Sequence, residues 1–112
     1  MRKNWMALLM AIALTGCSGV TDLQRRGPDG TFTSSKSVQA VSACVSQAWQ
    51  SHNKTVNATP LENGTRINMT YPEYLTPMAF VDITSAGAGS NVLYYKGDGF
   101  TAWSKDDVVH CL

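Results

Sequence analysis

The stretch SSKSVQAVSACVSQAWQSHN, residues 34–53, decides how this chain folds. Val38, Val41, Cys44 with Val45, and Ala48 with Trp49 recur at helical spacing, and Lys36, Gln39, Ser42, Gln47 and Gln50 fill the positions between. Ser35 or Ser37 suits the N-cap, where a short side-chain oxygen accepts from an otherwise unpaired amide. Asn53 suits the far end, because it tolerates left-handed backbone. The spacing predicts an amphipathic helix over 37–51. Cys44 lies in the middle of its apolar stripe and faces inward.

Downstream the period changes. In TVNATPLENGTRINMTY, residues 55–71, Val56 and Ala58 precede Asn63-Gly64, and Ile67, Met69 and Tyr71 alternate after it. Asn-Gly is the strongest short hairpin signal, since both central residues of a type I′ turn need positive φ. Pro60 cannot donate to a ladder, so the first of these strands belongs at a sheet edge. Residues 71–77, YPEYLTP, read as a turn-rich connection. MAFVDIT, residues 78–84, reads as a strand with Ala79, Val81 and Ile83 on one face and Met78, Phe80 and Asp82 on the other. SAGAGS, residues 85–90, reads as a flexible hairpin tip. NVLYYK, residues 91–96, is a fourth strand, with Val92 and Tyr94 opposite Leu93 and Tyr95.

The end, FTAWSKDDVVHCL, has helix-start chemistry. Ser104 with Asp107 resembles a capping box, with Asp in place of Glu or Gln, and Trp103 and Val108 occupy the staple positions. Asp106 and Asp107 suit the positive helix start. A short helix from Lys105 would point Val108 and Cys111 or Leu112 inward.

Upstream, Arg2 and Lys3 precede an apolar run of about ten residues, half the length that a membrane-spanning helix requires. A cationic start, a short apolar run and small residues behind it are the parts of a secretory signal peptide. Leu14-Thr15-Gly16-Cys17 resembles the lipobox of bacterial lipoproteins. That resemblance implies cleavage before Cys17, a diacylglycerol (palmitate-type chains) on its thiol and acylation of the new amine. Each buried methylene contributes about 0.8 kcal/mol, so one acyl chain holds marginally and three hold essentially permanently. Ser18 takes the place of the Asp that commonly retains such proteins in the inner membrane, which implies transport to the outer membrane. The mature chain would be 96 residues, Cys17 to Leu112, one small domain. Removal of Arg2 and Lys3 from the nine basic residues leaves seven against eight acidic ones. That balance gives no field for nucleic acid and no polybasic membrane patch. The membrane contact falls to the acyl chains.

With Cys17 set aside, Cys44 and Cys111 remain, and in an oxidising periplasm an even pair reads as a disulfide. The expected fold class is then α+β: an N-terminal amphipathic helix packed on a four-stranded antiparallel meander, a short C-terminal helix, and one disulfide. The expected organisation is a signal peptide over 1–16, a flexible tether over 17–33 carrying acylated Cys17, and a small periplasmic α+β domain over 34–112. In the tether, Gly27-Pro28 and Asp29-Gly30 break any periodicity, and Arg25-Arg26 reads as a solvated charge pair, with contact to lipid phosphates as the second reading. The chain also resembles small envelope lipoproteins of Gram-negative bacteria, through Cys44 with Trp49, Gly89-Ser90 with Tyr94-Tyr95, and Cys111. That resemblance implies no activity.

Reactive groups are sparse. His52 falls at a helix end and His110 precedes Cys111, and neither has further ligands at metal spacing. Gly87 to Ser90 superficially suggests a phosphate loop but lacks the following Lys and enters a strand. Asp82 stands among apolar residues; Glu62 and Glu73 lie in turns; Asp98 precedes the capping pair. Asn53, Asn57, Asn63 and Asn68 each open an Asn-x-Thr triplet, which the lipobox compartment leaves unglycosylated. No catalytic residue, metal ligand or cofactor is assigned. If Ala79, Val81 and Ile83 face the helix, then Met78, Phe80, Leu93 and Tyr95 lie on the open side of the sheet as a candidate partner surface.

The leading expectation is a non-enzymatic lipoprotein of the outer membrane, facing the periplasm and binding another envelope protein or peptide as an accessory or assembly subunit. An immunity or lysozyme-type inhibitor presenting residues 71–77 or 85–90 is the alternative, and a cell-wall enzyme comes last.

Overall fold

The computed structural model describes residues 19–70, 78–97 and 103–112. The signal peptide and Cys17 lie outside these residues, as do the 71–77 connection, Glu73 and Asp98. Eight elements follow in order: α1 (Gly19–Arg26), β1 (Gly30–Ser34), α2 (Val38–Gln50), β2 (Thr55–Leu61), β3 (Gly64–Thr70), β4 (Ala79–Ala86), β5 (Gly89–Lys96) and α3 (Trp103–His110).

The strands form one antiparallel sheet in the order β1-β5-β4-β3-β2. This corrects the four-stranded expectation. The sheet has five strands, and the fifth comes from the stretch expected as a tether. The long helix is also not the N-terminal element, because α1 and β1 precede it. The physical reason is non-local. β1 has a single apolar residue, Phe32, and no periodicity of its own. It is held by the open edge of β5, from Gly30 opposite Tyr94 to Ser34 opposite Ser90. Asp29 reinforces the entry: its amide donates to the Tyr94 carbonyl at 2.8 Å, and its carboxylate accepts from the Lys96 amide at 2.9 Å. Gly27 at φ 84° ends α1, with its amide bonded to the Gln24 carbonyl, and Pro28 stops any continuation.

Helix α2 is capped by Ser37, whose hydroxyl accepts from the Ala40 amide at 3.1 Å. It buries Val41, Val45 and Trp49 against Ile67, Met69, Ala79, Val81, Ile83, Val92 and Tyr94, the inner face of the sheet. Fully burying one such side chain contributes about 1.5–3 kcal/mol, so this layer supplies most of the cohesion. Helix α3 closes the same layer with Val108 and Cys111. Cys111 is joined to Cys44 across 67 residues of sequence.

One hairpin departs from expectation and the other lies where it was expected. Leu61 pairs with Gly64, so the β2–β3 turn is Glu62-Asn63, not Asn63-Gly64. Neither turn residue has positive φ. Gly64 is required for a different reason. A Cβ there would lie 1.9 Å from the Ile83 carbonyl oxygen, so only glycine lets β4 approach. The 85–90 stretch forms the expected hairpin tip, and the turn itself is short. Ladder pairs continue through Ser85–Ser90 and Ala86–Gly89, leaving Gly87-Ala88 as a tight turn with Gly87 at φ 59°. That matches a type II′ turn, whose first central residue favours glycine.

Two outcomes test this architecture. Gly64→Ala should lower stability by about 1–3 kcal/mol, because the β3–β4 backbones must separate to admit the methyl group; chemical denaturation measures it. Replacing both Cys44 and Cys111 by Ser should remove about 4 kcal/mol, the loop-closure value for a loop of this size. The double variant should then match the reduced native chain in urea midpoint.

Candidate functional site

Two polar and aromatic clusters flank the sheet. The first lies on the inner side, where α2 and α3 meet. The Trp49 indole donates to the Ser104 carbonyl at 3.1 Å, and the Tyr94 and Ser104 hydroxyls share a buried hydrogen bond. Ser104 is fully buried one residue inside α3, which begins at Trp103. This overturns the capping-box reading. The serine links helix to sheet, and Asp107 turns to His52 (3.1 Å) instead of to the helix start. The His52 ring also lies 4.0 Å from Trp103, centroid to centroid. His110 bonds the Asp106 carbonyl through Nδ1 at 2.8 Å. His52 therefore ties the end of α2 to α3, while the His110 bond stays within α3. Among the described residues no group of three or more His, Cys, Asp or Glu could hold a metal ion.

The second cluster lies on the outer side. Phe80 and Tyr95 are directly opposed in the β4–β5 ladder and stack at 4.5 Å. Arg66 sits over the Phe80 ring at 4.6 Å and grips Asp82 with two bonds, Nε to Oδ1 at 2.6 Å and Nη2 to Oδ2 at 2.8 Å. Burial of the pair is substantial, with side-chain exposure of 16% and 13%. The Arg66 pKa is raised, first by its hydrogen bond to Asp82, against burial that opposes the charge. So Asp82, flagged in the sequence as a carboxylate among apolar neighbours, has a dedicated partner.

The expected partner surface is not open. Phe80 is fully buried, Met78 and Tyr95 are buried to 8% and 7% exposure, and Leu93 is half-buried. Leu23 of α1 packs into the group formed by Phe80, Tyr95 and Leu93. Phe80, Leu93 and Tyr95 do share one cluster, which Leu23 of the supposed tether joins; Met78 is buried outside it. Sequence reading missed Leu23 and Arg66. Leu23 is one apolar residue in a polar stretch and carries no period. Arg66 alternates with Ile67 as any solvent-facing strand residue would; its significance depends on the register that places it opposite Asp82.

What remains exposed on the outer side is polar. Thr55, Asn57 and Thr59 of β2 face solvent, and the Asn68 amide bonds the Thr59 hydroxyl at 3.0 Å. Among large apolar side chains of the described residues, Val109 is exposed, at 46%. No helix among the described residues is long and apolar enough to cross a membrane. No protein-family model, curated protein or solved structure matches the chain.

Tyr94 provides a pH test. Its pKa is raised chiefly by burial, partly offset by the Ser104 hydrogen bond. The folded protein thus keeps the phenolic proton where the unfolded chain, titrating near about 10, has lost it. Stability is complete below that pH and falls as pH rises above it. Tyr95, also raised by burial, adds to the same slope. Tyr94→Phe should make the alkaline decline shallower. At neutral pH it should cost about 1–3 kcal/mol, because the buried Ser104 hydroxyl loses its partner. Urea unfolding at pH 7 and at about pH 10.5 reads both effects.

Proposed function

We propose that the chain is a lipid-anchored, non-enzymatic protein of the outer membrane, held on the periplasmic side, that serves another envelope protein as an accessory subunit. The observation that carries this reading is the division of its three cysteines. Cys44 and Cys111 are bonded to each other across the core. The third, Cys17, stands apart in Leu14-Thr15-Gly16-Cys17, where the lipobox resemblance places an acylated thiol. A core disulfide suits the oxidising compartment to which such a signal leads. Anchorage by acyl chains needs no spanning helix.

Because Leu23 already occupies the apolar group, contact with a partner falls to the polar outer face of β2 and β3, around Asn57, Thr59 and Asn68. A hydrogen-bonding surface of this kind suits reversible association better than a permanent complex, whose core is more apolar.

Two measurements check the reading. Cys17→Ser should shift the protein from the membrane fraction to the soluble fraction, and mass spectrometry of the native membrane extract should show acyl chains on Cys17. A membrane-bound Cys17→Ser variant, or an unacylated native terminus, overturns the anchoring. Crosslinking in the membrane from Asn57→Cys should then capture one envelope protein.

A further inference from the structure

We propose that α1 and the β1–β5 side of the outer sheet face rest on the anionic phospholipid surface, so that the domain is held against the bilayer in one orientation. The proposal rests on acylation of Cys17, and it concerns what that anchor does to the body. A single residue, Ser18, separates Cys17 from Gly19, the first residue of α1. Two peptide links span at most about 7 Å. The polar headgroup zone is about 5–7 Å deep on each side of the hydrocarbon. An acylated Cys17 therefore sets the start of α1 at headgroup level.

The helix is in turn fastened to the domain. Leu23 packs with Phe80, Tyr95 and Leu93. Arg26 Nη2 donates to the Lys96 carbonyl at 3.2 Å. Gly27 and Pro28 then turn the chain directly into the Asp29 contacts with Tyr94 and Lys96. Among the described residues, the chain from Gly19 to Ser34 is thus fastened to the sheet.

The charge on this side matches the proposed occupant. Arg25 and Arg26 are exposed in the last turn of α1. The Asp29 carboxylate is bonded to the Lys96 amide, and α1 itself carries one acidic residue, Asp22, against its two arginines. Basic side chains within a Debye length of an anionic leaflet are attracted to its phosphates. The exposed Thr31 and Thr33 of β1 continue the same face with uncharged hydroxyl groups suited to the headgroup layer. Helix α2 lies on the opposite side of the sheet and points its exposed Gln47 away from the lipid.

The test uses the full acylated protein in vesicles of phosphatidylethanolamine and phosphatidylglycerol. Cys44 and Cys111 are bonded and Cys17 carries lipid, so an added cysteine takes a fluorophore uniquely. Labels at Gln24→Cys, Thr31→Cys and Gln47→Cys are compared for quenching by headgroup-labelled lipid. Quenching at positions 24 and 31 should exceed that at 47 several-fold. Arg25→Glu should weaken quenching at 24 in these vesicles, with little change in vesicles of phosphatidylcholine alone. Leu23→Asp, which unseats α1, should bring quenching at 31 down to the level at 47 while the protein still floats with the vesicles. Equal quenching at all three positions, with flotation intact, overturns the orientation and leaves the anchoring standing. Failure of the native chain to float overturns the anchoring, and the orientation with it.

Discussion

The structure depends on the junction of α2 with α3. Helix α3 has eight residues and buries two of them, Ser104 and Val108. An isolated helix of that length does not hold in water, since nucleation costs more than so few turns return. It persists because four links fasten it: the Cys44–Cys111 bond, the Trp49 indole on the Ser104 carbonyl, the Tyr94 hydroxyl on that serine's side chain, and His52 against Asp107 and Trp103. The disulfide spans every residue from mid-α2 to the last turn, so β2 to β5 all lie within the loop it closes. Confining that loop restricts the unfolded chain, while the Trp49 and Tyr94 bonds satisfy polar atoms that burial would otherwise leave costly.

The outer face is organised differently. Its ion pair contributes less through net attraction than through register. Removing two charges from water offsets much of what their attraction returns. A one-residue slip of β3 against β4, however, would send Arg66 toward the apolar inner face and Ile67 outward. Opposed positions in the ladder, two bonds to Asp82 and contact with the Phe80 ring all penalise that slip. Gly64 acts toward the same end at the turn, where the Ile83 carbonyl leaves no space for a side chain.

The legible part of the fold was the part specified by local periodicity. The stripe of Val38, Val41, Val45 and Trp49, and the alternation of Ala79, Val81 and Ile83, each state their own buried face, and these residues form the inner core. Strand β1 was illegible because Phe32 is one apolar residue among Thr and Gly, and its extended form is imposed by β5. The turn at Glu62-Asn63 was misplaced by one residue because Asn-Gly carries two meanings, positive φ or close approach, and only the neighbouring strand decides between them. Ser104 misled for a similar reason. A serine before acidic residues signals a cap locally, yet Trp49 and Tyr94 make it an interior link. Of the candidate surface, Phe80, Leu93 and Tyr95 were grouped correctly and Met78 was not, and what covers the three is the seating of α1.

That seating changes how an anchor on Cys17 would act. A flexible segment over 18–33 would let the domain wander by roughly 22 Å, the root-mean-square span of a random chain of that length. It would present every face to the periplasm in turn. With α1 docked through Leu23 and the chain leading straight into β1, residues 19–34 are held on the sheet. The same residues that bury Phe80 and Tyr95 then determine which surface is turned from the lipid. An apolar patch close to a bilayer would otherwise compete with the acyl chains for insertion, because both are driven by removal of apolar area from water. On an acylated protein, covering it with a helix that exposes Gln24 and Arg25 would keep the body out of the hydrocarbon while leaving it attracted to the headgroups.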